Sequence, residues 1–276
     1  MATSKTRQRA LARAKTERQI ARRAAQARRR RQLQAGIGAG VAVILVVVGI
    51  VWVAGGFDRK KSTAAEDCAW TPQATSDTIK DVGKPPTTKI PKTGTALMTM
   101  TTNQGVIEAE LDRTGAPCTA ASFAYLAGKK FFDNSKCHRL TTTGIYVLQC
   151  GDPSGTGQGG PAYKFADEKL PSPADQPSPD PSASAAPTSN LYPAGTLAMA
   201  NSGPDTNGSQ FFIVYKDGSG LEAKYTTFGK VTKGLDIVQK IAEAGSDDAF
   251  AQSAGGGHPK TEVVIQSMTV KSDLAG

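Results

Sequence analysis

Residues 36 to 57 constrain this chain of 276 residues more than any other stretch. From Gly36 to Gly56 every residue is apolar or glycine. As a helix rising about 1.5 Å per residue, the run reaches across a hydrocarbon layer of roughly 30 Å. A helix in water has no need of an apolar face all the way round unless it sits at the centre of a large core. The segment is therefore read as one transmembrane helix over 36–57. A buried core helix is the bland competitor. A cleavable signal peptide is the closer one, because Ala54, Gly55 and Gly56 leave room for a cleavage site. Arg28 to Arg31 abut the run and orient it, with residues 1–35 as a cytoplasmic tail and 58–276 outside the membrane.

The formal net charge of +9 is an uneven average. Residues 1–35 hold twelve of the 33 Lys and Arg and one acid, Glu17, so the remainder carries 21 basic and 23 acidic residues. Basicity belongs to the tail, and the tail is read as a topology determinant touching anionic headgroups. No nucleic-acid partner is expected. All four cysteines, Cys68, Cys118, Cys137 and Cys150, fall on the outer side, and none forms a CxxC pair. An oxidising compartment favours disulfides. Three pairings are open. Cys137 and Cys150 lie on consecutive expected strands, so a cross-strand bond is the first choice, with free buried thiols as the alternative.

Residues 58–95, rich in Lys, Thr and Pro, read as an extracytoplasmic linker with one attachment point at Cys68-Ala-Trp70. From Ala96 the pattern changes. Leu97–Thr102 and Val106–Leu111 flank Asn103-Gln104-Gly105, a hairpin signal. Pro117 opens a short helix over 119–127 that Gly128 stops, and 234–244 has helical spacing. Strands are expected at 131–140, 144–149, 195–200, 210–214, 226–231 and 263–270. Many short strands with two helices imply a mainly β fold, a closed antiparallel β-barrel capped by two helices, over 96–273. Residues 170–190, rich in Pro, Ser, Ala and Asp, are a loop insertion that cannot bury enough apolar surface to fold alone.

Four local patterns carry chemistry. They are Phe131-Phe-Asp-Asn-Ser-Lys-Cys-His-Arg-Leu140, Gln149-Cys-Gly-Asp152, Met199-Ala-Asn201 with Asn207-Gly-Ser-Gln-Phe-Phe212, and Phe228-Gly-Lys-Val231. The third is a turn feeding an apolar strand, which sets polar Asn201 and Gln210 beside the aromatic wall of Phe211 and Phe212. In order and spacing the four resemble the cyclophilins, the peptidyl-prolyl cis-trans isomerases, over about residues 96–273. The resemblance implies a cyclophilin-like barrel and isomerisation of X-Pro bonds. It implies Arg139 as the catalytic residue, with Gln149 holding it and contacting substrate backbone. Phe212 would floor the proline pocket, with Leu221 on its wall. Asn201 and Gln210 would grip the peptide, with His138, Tyr146, Val147, Ala200 and Tyr225 completing the substrate-binding set. The chain departs from the pattern at Thr141-Thr-Thr143, which leaves a one-residue slip across 141–147 open. It departs again at Gly220, where many eukaryotic members have a tryptophan, and at Tyr225, where the family often has a histidine.

No cofactor and no metal are expected: two histidines and no acidic pairing motif give neither a zinc site nor a triad. Twisting an imide requires no nucleophile, only a fixed cation that favours the twisted state over the planar one. The resulting expectation is a membrane-anchored isomerase, of bacterial form, acting on proline-containing polypeptides among exported or cell-surface proteins. The competing reading from another class is a membrane-tethered peptide-binding module or holdase with weak activity, motivated by the altered 141–147 segment.

Overall fold

The computed structural model describes residues 67–172, 190–218 and 220–272. The basic tail, the apolar run 36–57 and most of the 170–190 insertion lie outside them. Among the described residues no helix is long and apolar enough to cross a membrane. In chain order the strands are β1 (Thr71–Pro72), β2 (Ile79–Lys80), β3 (Thr95–Thr102) and β4 (Gly105–Asp112). Helix α1 (Pro117–Gly128) follows, then β5 (Ser135–Lys136), β6 (Arg139–Leu140), β7 (Val147–Cys150), β8 (Gly160–Pro161) and β9 (Tyr163–Lys164). The chain ends with β10 (Thr196–Met199), β11 (Phe211–Val214), β12 (Thr227–Lys233), helix α2 (Leu235–Glu243) and β13 (Val264–Ser272).

Alternation sets the sheet. Ala96, Met98, Met100 and Thr102 of β3 are buried while their neighbours are not, and Ile107, Ala109 and Leu111 of β4 do the same. The hairpin turn falls at Asn103-Gln104, with Thr102 paired to Gly105. Nine strands form one sheet in the order β5-β13-β3-β4-β12-β10-β11-β7-β6. This order has two ends, and no ladder among the described residues joins β5 to β6. The closed barrel expected from sequence is therefore a curled half-barrel with two helices. One expected strand, 131–140, divides: residues 131–134 form turns, and only β5 and β6 pair.

Helix α1 has Pro at its first turn and no side-chain cap of its own. Glu168, fifty residues on, supplies one: its carboxylate accepts from Cys118 N at 2.9 Å and from Thr119 N at 2.7 Å. An acid at a helix N-terminus satisfies orphan donors and complements the dipole. The helix buries Phe123 against Phe132, Phe211 and Phe228, with centroids 4.6 to 5.4 Å from Phe123. Helix α2 starts at Gly234, whose φ of 83° brings its backbone against β4; a Cβ there would meet Val106 O at 2.5 Å.

Residues 67–94, read as part of a linker with one attachment, form a strap held at several places, on β8, β9 and α1. β1 pairs with β9 and β2 with β8. Trp70 is buried between Tyr163 and Phe165, at 5.4 Å from each ring centroid, and its Nε1 donates to Pro86 O at 3.1 Å. A disulfide joins Cys68 to Cys118 of α1.

Candidate functional site

Strand β11 is buried on both faces, and that double burial builds the site. Phe211 and Ile213 face the main core, while Phe212 and Val214 face a second cluster with Val147, Tyr192 and Ala198. Loop residues Leu221 and Tyr225 pack against this second cluster. Above it lies a groove of about 560 Å³ bordered by Arg139, Gln149, Ala200, Asn201 and Phe212.

Register brings the polar residues together. β6 pairs with β7 so that Arg139 faces Gln149, and β7 pairs with β11 so that Gln149 faces Phe212. Arg139 Nη1 donates to Gln149 Oε1 at 3.1 Å, Nε donates to Gly255 O at 2.9 Å, and Nη2 donates to Ala254 O. Gln149 Nε2 donates in turn to Gln210 Oε1 at 2.9 Å, and Gln210 Nε2 to Gly157 O and Gly159 O. A guanidinium has five N–H donors. Three are engaged among the described residues. Burial pushes the Arg139 pKa down, opposed by Tyr225, yet the group keeps its charge.

The loop 152–160 borders the same groove through Thr156, Gly157 and Gln158. Buried Asp152 organises it, accepting from Ser154 N at 2.7 Å, Gly157 N at 2.7 Å and Gly159 N at 2.9 Å. Burial raises the Asp152 pKa, but bonds from Ser154 and Gly159, with His138 nearby, hold it below its usual value. Cys137 and Cys150, which bracket Arg139 and Gln149 in sequence, are joined in a disulfide. His138 borders the groove but is only 4% exposed, and neither ring nitrogen has a hydrogen-bond partner among the described residues. Burial pushes its pKa down; Asp152 opposes that, and Arg139 and His258 reinforce it. Among the described residues there is no cluster of three or more His, Cys, Asp or Glu able to hold a metal.

Residues 97–270 match the family model for cyclophilin type peptidyl-prolyl cis-trans isomerases. The chain belongs to the cyclophilin family. It is 48% identical over 205 residues to a probable peptidyl-prolyl cis-trans isomerase B of Mycobacterium leprae, covering 73% of this chain and 66% of that protein. A counterpart in Mycobacterium tuberculosis is 46% identical over 200 residues, 71% of this chain and 62% of the relative. The chain thus spans less than two thirds of either relative's length. Human peptidyl-prolyl cis-trans isomerase-like 1 is 37% identical over 152 residues, 53% of this chain and 81% of that protein. A solved cyclophilin-type isomerase of Cryptosporidium parvum superposes with a TM-score of 0.51 at 27% identity, covering 65% of this chain and 99% of that one. A second structure of it, in the presence of the dipeptide Ala-Pro, gives a TM-score of 0.50 at 26% identity, covering 64% and 99%.

In this cyclophilin the groove gathers His138, Arg139, Val147, Gln149, Ala200, Asn201, Phe212, Leu221 and Tyr225 from the expected set. Gln210 stands beside it, in an adjoining hollow that shares Gln149, Ala200 and Asn201. Asn201 is tied to the 224 loop, donating to Lys224 O at 2.9 Å. Tyr146 is the exception. It points to the other side, where its ring meets Tyr215 at 6.1 Å and lies under Lys216 Nζ at 4.7 Å. Ile145 borders the groove in its place. Tyr146 lies just before β7, which begins at Val147, and Val147 keeps its expected place on the groove. Sequence reasoning missed Phe250, Ser253 and Ala254, which also border the groove. Their signal was the run Gly255-Gly-Gly257: a Cβ on Gly256 would sit 2.1 Å from Leu140 O, so only glycine lets this loop lie against β6.

Proposed function

We propose that this chain is a peptidyl-prolyl cis-trans isomerase that acts without bond making. Arg139 would stabilise the twisted imide, and Phe212 would anchor the proline ring. The observation that supports this reading is that Arg139, held by three hydrogen bonds, borders the same groove as Phe212. The X-Pro bond resists rotation by about 20 kcal/mol, and uncatalysed exchange takes tens of seconds or longer. Acceleration to about milliseconds requires roughly 5.5 kcal/mol. When the bond twists, the prolyl nitrogen regains its lone pair. A preorganised guanidinium near that nitrogen or the adjoining carbonyl favours this state over the planar one. Gln149 and Gln210 would fix the cation's direction, and Asn201, which borders the groove, would meet peptide backbone. The substrates are proline-containing polypeptides, and folding of exported or cell-surface proteins is the proposed task. The apolar run 36–57 would tether the domain outside a membrane.

Exchange rates of a proline tetrapeptide, read by NMR with the full chain in detergent, test the reading. Arg139→Ala is expected to lose about a hundredfold in turnover while peptide binding persists. Equal turnover by both proteins, with binding retained, would favour a peptide-binding module or holdase.

A further inference from the structure

Residues 246–258 lie outside the four motifs that carry the family resemblance, yet they supply part of the groove wall. The loop is clasped at its base. Asp247 N donates to His258 O at 3.0 Å, His258 N donates to Asp247 Oδ1 at 2.8 Å, and His258 Nδ1 meets Asp247 Oδ2 at 2.8 Å. The amide of Ala249, then His258, holds the Asp247 carboxyl down at about 2. The His258 ring packs against Phe250, with centroids 4.7 Å apart and planes at 61°. Phe250 is fixed at its backbone too: its N–H donates to Gly256 O, and its carbonyl accepts from Gly255 N, both at 2.8 Å. Across the loop, Leu140 and Gly257 exchange backbone bonds, and the carbonyls of Ala254 and Gly255 hold Arg139.

Phe250 belongs to neither apolar cluster. Its partly buried ring is held against His258 at the border of the groove, so packing of the two apolar clusters does not account for it. We infer that Phe250 is a specificity-determining residue. It offers its ring to an apolar or aromatic side chain next to the substrate proline, while Asp247 and His258 are positioning residues that hold the ring in place. Aromatic faces and edges reward such contacts beyond area burial. The inference rests on reading the groove as the isomerisation site.

Tetrapeptides with Phe, Leu, Ala or Glu beside the proline, turned over by the full chain, test it. The ratio of kcat/KM for the Phe peptide over the Ala peptide is expected to fall about fivefold in Phe250→Ala. Phe250→Tyr restores the ratio, and His258→Ala lowers it in the same direction. The change lies in KM rather than kcat. An unchanged ratio, or a uniform loss on all four peptides, overturns the inference. Arg139→Ala, run in parallel, separates the two levels. Full turnover there sinks the groove reading and this inference together, whereas a flat Phe250 ratio beside an inactive Arg139→Ala sinks the inference alone.

Discussion

At the scale of single residues, this cyclophilin keeps two groups in protonation states that their surroundings decide. His138 is buried with neither ring nitrogen partnered among the described residues, so the charged form is disfavoured in the fold. Its folded pKa lies below the 6.5 of an unfolded chain. The folded state therefore binds fewer protons than the unfolded state below that pH. His138 costs no stability above pH 6.5, and stability falls as pH drops from 6.5 through the lowered folded value. Urea unfolding between pH 7.5 and 5 is expected to show this decline, with a shallower slope in His138→Leu. An identical slope in the variant would remove His138 as the cause. Asp152 adds a separate step: with its pKa held below 3.8, its contribution is present above that pH and lost further into acid.

Among elements, the strap 67–94 and the loop 246–258 show what local sequence hides. The strap has two-residue strands and a Pro85-Pro86 pair, a composition that reads as linker. It is held by partners distant in sequence: Tyr163 and Phe165 around Trp70, and Cys118 across 50 residues. Closing a loop of that length stabilises the fold by about 4 kcal/mol on the chain-entropy account. Replacing both Cys68 and Cys118 by Ser is expected to lower unfolding free energy by roughly that amount. Protease sites within 67–94 should open before the sheet unfolds, as read by limited proteolysis and mass spectrometry. Simultaneous loss of strap and sheet would instead mean that the strap is integral to the core.

At the scale of the whole molecule, the proposed architecture is a basic tail, a membrane span and an isomerase domain in series. In this proposal the apolar run 36–57 anchors the chain and the tail's twelve cations orient it. Expressed in bacteria, the full chain is expected to sediment with membranes and resist extraction by high salt, while a variant lacking 36–57 stays in the supernatant. Salt-released full-length protein would point to electrostatic attachment by the tail alone. The two forms should isomerise a short peptide at comparable rates.

The residues of the groove were legible in the sequence because their types stand in fixed local strings. Arg139, Gln149, Gln210 and Phe212 are named by their neighbours, and period-two burial made β3 and β4 readable. That Tyr146 turns away from the groove was not legible: its ring meets Tyr215, sixty-nine residues on, and Ile145 borders the groove instead. The wall formed by Phe250 came from a loop more than a hundred residues beyond Arg139, and the open ends of the sheet came from a strand order with no ladder between β5 and β6 among the described residues. Local composition reports what a side chain prefers. Which distant backbone it meets depends on how strands register and curl, and only the assembled fold decides that.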